Sequence, residues 1–209
     1  YYASSIKGYL QSNHDSVLGV LSKNTEFSPM LEQIQAWQGE MSILDDMLHH
    51  YAHGQVIFEY NIPRLGKRAD VILLLNGIVF VLEFKVGANE FYRQDFDQVW
   101  DYALDLKNFQ EASHDRIIVP ILVATEAKSS SVTWDTSIYD DSVYEPLCTN
   151  GVLLPDLVKN ILAAVGDSSK IDLNDIDDSK WMNSRYSPTP TIIQAASHMY
   201  MHHNVDNIT

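Results

Sequence analysis

The stretch Lys67-Arg68-Ala69-Asp70-Val71-Ile72-Leu73-Leu74-Leu75-Asn76-Gly77-Ile78-Val79-Phe80-Val81-Leu82-Glu83-Phe84-Lys85 decides the fold. Two apolar runs flank Asn76-Gly77, the dipeptide most typical of a two-residue type I′ hairpin turn. If Leu75 faces Ile78, every step back on one strand matches a step forward on the other, and Asp70 arrives opposite Glu83. Directly opposed residues of an antiparallel pair share one face, with Cβ atoms about 4.5–5.5 Å apart. Side chains alternate along a strand, so Lys85 joins Glu83 while Phe80, Leu82, Phe84 and Val86 take the other face. One face is core and the other carries chemistry. Two carboxylates this close repel, and a cation relieves the repulsion.

Aspartate and glutamate form a hard-oxygen set suited to Mg²⁺ or Mn²⁺, which takes one or two carboxylates and fills its remaining positions with water and phosphate oxygens. A lysine beside them can steer or help deprotonate the attacking water. Metal-assisted phosphodiester hydrolysis needs such a set. The bland reading is a solvated edge strand with an internal ion pair, and such surface pairs contribute little.

Asp70, then twelve residues, then Glu83-Phe84-Lys85 resembles the D…ExK signature of the PD-(D/E)XK nuclease superfamily. Gln98-Val99-Trp100-Asp101-Tyr102 resembles the QxxxY motif of its RecB-like branch. The match runs in order from Leu31 to Ala127. More narrowly, Gln35-Ala36-Trp37, Phe58 to Arg64, Lys67 to Asp70 and Tyr186 to Thr191 resemble an uncharacterised bacterial family. In that family a nuclease-like N-terminal region precedes a helicase-like P-loop ATPase related to the Schlafen group.

The resemblance implies an α/β, restriction-endonuclease-like core and a Mg²⁺- or Mn²⁺-dependent nuclease, with DNA favoured over RNA as substrate. Asp70 and Glu83 would be metal ligands, the Phe84 carbonyl a further one, and Lys85 would position the water. Gln98 and Tyr102, four apart on one helix face, would orient Lys85, the water or a phosphate. Glu40 would project from the preceding helix toward the metal, or else is a solvated residue flanking Trp37 and Ile43. Arg64, Lys67, Arg68 and Arg93 would hold the nucleic-acid backbone. The chain contains no Gly-x-x-x-x-Gly-Lys-Ser/Thr loop, so a partner ATPase would lie beyond Thr209. Phage or foreign-DNA defence follows from the resemblance alone. A homo-oligomer is left open. Ala69 stands where the superfamily signature often has proline, a position without chemistry.

Composition pulls against the polyanion. The net charge of −14 lacks the basic footprint of most nucleic-acid binders. The acid concentrates from Asp167 to Asp178, however, and basic residues gather in sequence around the proposed site. The rival expectation is a catalytically inactive nuclease fold serving as an interaction platform. The single cysteine, Cys148, rules out an intramolecular disulfide and a thiolate metal cluster. No apolar stretch approaches the eighteen residues of a membrane span. These features fit a cytoplasmic protein, and the start at Tyr1 suggests a piece of a longer one.

The chain divides into a helical extension (1–28), a nuclease-like domain (29–165), and an acidic linker with a helix leading toward a further domain (166–209). Tyr2–Ser22 reads as a weak helix. A long helix follows the Ser28-Pro29 cap through Leu31, Ile34, Trp37, Met41, Leu44, Leu48 and Tyr51. Then come a strand over Val56–Ile62, the hairpin, a helix over Asp95–Gln110 and a strand over Arg116–Thr125. The order α-β-β-β-α-β suits a mixed sheet flanked by helices. Lys128–Thr133 reads as a loop, Ser142–Cys148 as a last strand, Pro155–Val165 and Thr191–His203 as helices. Glu59 is placed with Ile57 on its own strand face, with Phe58 and Tyr60 opposite, as an auxiliary carboxylate or a partner for Arg64 or Arg68. His49, His50 and His53, and His198, His202 and His203, lack the third ligand of a zinc motif.

Overall fold

A computed structural model describes residues 1–24, 29–62, 66–128, 142–168 and 178–203. Six strands form one mixed sheet in sequence order, β1 to β6. The strands are β1 (Tyr2–Ser5), β2 (Gln55–Ile62), β3 (Lys67–Leu75), β4 (Ile78–Lys85), β5 (Ile118–Ala124) and β6 (Leu147–Thr149). β1 to β4 run antiparallel, whereas β4, β5 and β6 are parallel. The helices are α1 (Ile6–Leu10), α2 (His14–Lys23), α3 (Leu31–Leu48), α4 (Arg93–Phe109), α5 (Leu154–Ser168) and α6 (Pro190–His203). From α3 to β5 the order is α-β-β-β-α-β, the arrangement expected of a restriction-endonuclease-like α/β core.

The hairpin forms in the register read from its turn, with Leu75 opposite Ile78 and Val71 opposite Leu82. Asn76 and Gly77 both take positive φ, 47° and 80°, as a type I′ turn requires. A left-handed backbone costs an L-residue with a Cβ about 1–2 kcal/mol. Gly77→Ala is therefore expected to lower the melting temperature by about 2–8 °C for a chain of this size, measured by thermal denaturation. An unchanged midpoint would show that the turn does not hold the register.

Strands buried on both faces carry two apolar layers. One layer packs Val71, Leu73, Phe80 and Leu82 against Trp37, Met41 and Leu44 of α3, with α1, α2 and α5 around them. The other packs Ile72, Leu74, Val79 and Val81 against Val99, Tyr102, Ala103 and Leu106 of α4. Glu83 and Lys85, in step with Val79 and Val81, therefore emerge on the α4 side.

The sequence reading needs correction in several places. Tyr2–Ser22 is not one helix: Tyr2–Ser5 is an edge strand paired with β2, and two short helices follow. The capping position of α3 is Met30, which makes no side-chain cap bond, and Pro29 precedes it; Ser28 lies outside the described residues. β6 covers only Leu147–Thr149, with Val143 making an isolated bridge to Ile118. α5 begins at Leu154, one residue before its proline, and runs to Ser168. The loop expected over Lys128–Thr133 falls outside the described residues after Lys128, as does the acidic segment 169–177.

Trp181, Tyr186 and Ser187 pack on the domain. Trp181 is fully buried in the α4-side layer, and its indole N–H donates to the Ser113 hydroxyl at 2.9 Å. Tyr186 stacks on Phe109 at 5.5 Å, and the Ser187 N–H donates to the Phe109 carbonyl. No described helix is long and apolar enough to cross a membrane.

Candidate active site

The last paired residues of the hairpin are Val71 and Leu82. One step on, where Asp70 faces Glu83, the ladder changes character. The Asp70 carboxylate turns in toward β4 and accepts the Phe84 N–H at 2.7 Å. It thus takes the place of a main-chain rung and lies beside Glu83, instead of standing off the sheet directly across from it.

The opposite edge of β3 has a matching irregularity. Phe58 pairs with Val71 and Tyr60 with Ala69, but Glu59 between them takes a positive φ of 56° and makes no pair with Asp70. Past this point the faces exchange: Phe58 belongs to the α3-side layer, yet Tyr60, Ile62 and Ala69 belong with Ile57 to the α4-side layer. The expected placement of Glu59 with Ile57, and of Tyr60 opposite, is reversed. One left-handed residue rolls the strand over. Glu59 reaches toward α3, accepting the Trp37 indole N–H at 2.7 Å, and pairs with Arg68 at 3.3 Å.

Glu83 is 3% exposed, and one of its oxygens does all the bonding. Oε1 accepts from the Lys85 ammonium at 2.9 Å and from the Gln98 amide at 2.8 Å. Oε2 is buried and has no hydrogen-bond partner. The Gln98 amide also donates to the buried Tyr102 hydroxyl at 2.7 Å. Gln98 and Tyr102 thus stand with Glu83 and Lys85 in one network, as the helical spacing anticipates.

Sequence reasoning missed Asp95. This residue, 8% exposed in the first turn of α4, lies 3.4 Å from the Lys85 ammonium. Its spacing to Gln98 and Tyr102, three and seven residues on, puts all three on one helix stripe. That periodicity was the available signal.

Glu40 sits on the buried stripe of α3 with Trp37, Met41, Leu44 and Met47, and is 4% exposed. The solvated reading fails. A Cβ built on the neighbouring Gly39 would approach Val86 Cγ1 to 3.4 Å, so α3 passes close over the end of β4. Glu40 Oε2 is the second buried carboxylate oxygen here without a partner.

Electrostatics follow from this crowding. Burial, then the charge of Glu83, holds the Asp70 carboxyl well above the usual carboxylate range, against the Phe84 N–H. Burial, then Asp70, Glu59 and Glu83, does the same to Glu40. Glu83 is also raised, by burial, although Lys85 opposes it. Lys85 feels burial pushing its ammonium toward neutrality, yet Glu83, Asp95 and Asp70 together hold its pKa above the ordinary lysine value. The three carboxylates thus favour the charged form of Lys85, which donates to Glu83.

The basic residues are more dispersed. Lys67 and Arg68 are exposed at the start of β3, and Arg68 is engaged by Glu59. Arg93, 75% exposed by its side chain, pairs with Asp97 at 2.9 Å and lies over the Phe96 ring. Arg64 falls outside the described residues. Away from the carboxylates, Met47, His50, Tyr51, Pro155, Asp156 and Lys159 line a cleft of about 290 Å³ where α3 ends and α5 begins.

Among the described residues, no three Asp, Glu, His or Cys side chains converge into a ready-made metal cluster. The donor set is the Asp70–Glu83 pair with Glu40 nearby. Two carboxylates suit Mg²⁺ or Mn²⁺, which keep water in most positions, and the two orphaned oxygens are what a cation would satisfy. The donors fit such an ion. His49 Nδ1 lies 2.6 Å from the Asp45 carbonyl. In comparison with known proteins, no family model, no curated protein and no solved structure matches the chain.

Proposed function

We propose that the domain is a Mg²⁺- or Mn²⁺-dependent nuclease of the PD-(D/E)XK type, hydrolysing phosphodiester bonds with DNA as the favoured substrate. One observation carries this reading. Glu83 is saturated on Oε1 by Lys85 and Gln98, and its buried Oε2 is unpartnered beside Asp70. A buried carboxylate oxygen without a protein partner costs about 1–3 kcal/mol or more, and a bound cation would offset that cost.

Asp70 and Glu83 would hold the cation, with the Phe84 carbonyl as a further donor and Glu40 behind them. When bound, the cation would polarise the phosphate and acidify a water. The protein's own groups have separate tasks. The Phe84 N–H fixes the Asp70 carboxylate in the sheet plane. Gln98 ties the α4 stripe to Glu83 Oε1, while Oε2 is without a partner. Lys85, charged, would orient the nucleophile and neutralise the growing charge on phosphate. Lys67, Arg68 and Arg93 are exposed and would meet the backbone. An ATPase following Thr209 would feed or gate substrate.

The decisive test incubates the chain with single-stranded, duplex and branched DNA and with RNA, in Mn²⁺, Mg²⁺ or chelator, beside Glu83→Ala. Metal-dependent cutting lost in the variant is the expected result. A folded wild type that binds no divalent ion would favour the second reading, an inert platform for a protein partner, which the net charge of −14 supports. Gln98→Ala is expected to slow cutting about 10- to 100-fold, the usual loss when a group orienting a metal ligand is removed. Full activity in that variant would show that Glu83 needs no such restraint.

A further inference from the structure

Lys85 lies between two carboxylates, 2.9 Å from Glu83 Oε1 and 3.4 Å from Asp95 Oδ1. A divalent cation and an ammonium cannot both rest on Glu83 without repelling each other, so the ammonium needs a second anionic seat. Asp70 is occupied by the Phe84 N–H and belongs to the cation's donor pair. Asp95 is free of that duty. An acidic residue that merely complements a helix N-terminus lies exposed in the first turn, whereas Asp95 is 8% exposed and turned onto Lys85.

We propose that Asp95 is a positioning residue of this site: it shares the Lys85 ammonium with Glu83 Oε1, so that a divalent cation on Glu83 Oε2 meets less opposing charge. The proposal rests on the cation-binding part of the nuclease reading. Without Asp95, Lys85 has Glu83 as its remaining ion-pair partner, and cation and lysine compete for one carboxylate.

The test is calorimetric titration of Mn²⁺ into the intact chain and its Asp95→Asn, Asp95→Glu, Lys85→Met and Asp95→Asn/Lys85→Met variants, with no substrate present. Asp95→Asn is expected to weaken Mn²⁺ binding about tenfold or more, the scale of one lost charge-assisted contact, and Asp95→Glu to restore much of it. On the Lys85→Met background the same Asp95→Asn change is expected to cost less than about threefold, because the residue acts through the lysine. Equal losses on both backgrounds would make Asp95 only a nearby negative charge and overturn the proposal. Wild-type affinity in Asp95→Asn would overturn it alone, leaving the cation site standing. A wild type that takes up no Mn²⁺ would bring down both together.

Discussion

Lys85→Ala is expected to lower the rate of phosphodiester cleavage by about 10²–10³-fold, the loss typical of removing one preorganised donor from a site of developing charge, with the chain still folded. The expectation follows from the state of the lysine. Its pKa is held above the ordinary value by Glu83, Asp95 and Asp70, which favours the positively charged form. Alanine deletes that charge and leaves the carboxylates in place. Cation binding should survive, and even tighten, because Glu83 Oε1 loses a competing donor. The measurement pairs cleavage rates with Mn²⁺ titration and a thermal melt of the same sample. Slow cleavage with intact cation binding supports the role; wild-type cleavage in this variant would sink the nuclease assignment.

The parts of this site that were legible in sequence were those fixed by local geometry. Asn76-Gly77 dictates a turn of two residues, the turn dictates the register, and the register brings Asp70 and Glu83 to one level. Gln98 and Tyr102 were legible because helical spacing puts them on one face, and the apolar stripe Val99, Ala103 and Leu106 seats that helix on the sheet. What escaped depends on distant partners. Tyr2–Ser5 is a strand because β2 offers it an unpaired edge, a tertiary preference that overrides a weak helical pattern. Trp181 follows an acidic run with no periodic pattern to seat it, yet its ring fills the α4-side layer. Glu59 adopts a left-handed backbone that no glutamate advertises, and the strand roll it causes inverts the faces that strict alternation predicts.

Without a divalent cation, the domain is expected to lose stability as pH rises above the ordinary carboxylate range, and the cation is expected to reverse this. Asp70, Glu40 and Glu83 all have folded-state pKa values raised above the ordinary carboxylate range, chiefly by burial. The folded chain therefore binds more protons than the unfolded one between the ordinary values near 4 and the raised ones, and stability falls through that window. Lys85 does not oppose the trend, because its own raised pKa adds stability that is lost only at pH values above the ordinary lysine pKa. A cation held by Asp70 and Glu83 replaces the missing protons. At a hundred times its dissociation constant it contributes about 2.7 kcal/mol, or about 5–11 °C in melting temperature for a chain of this size, and more at pH 8 than at pH 5. General repulsion from the charge of −14 would give a slope of the same sign, so the melts belong in about 0.3 M salt, where exposed charges are screened. Glu40→Gln separates the two causes: it removes one buried carboxylate with an orphaned oxygen and should raise the cation-free melting temperature at pH 8 while flattening the slope. A cation-free domain that grows more stable toward pH 8, or a melting temperature that Mn²⁺ leaves unmoved there, would show that these carboxylates are not waiting for a metal.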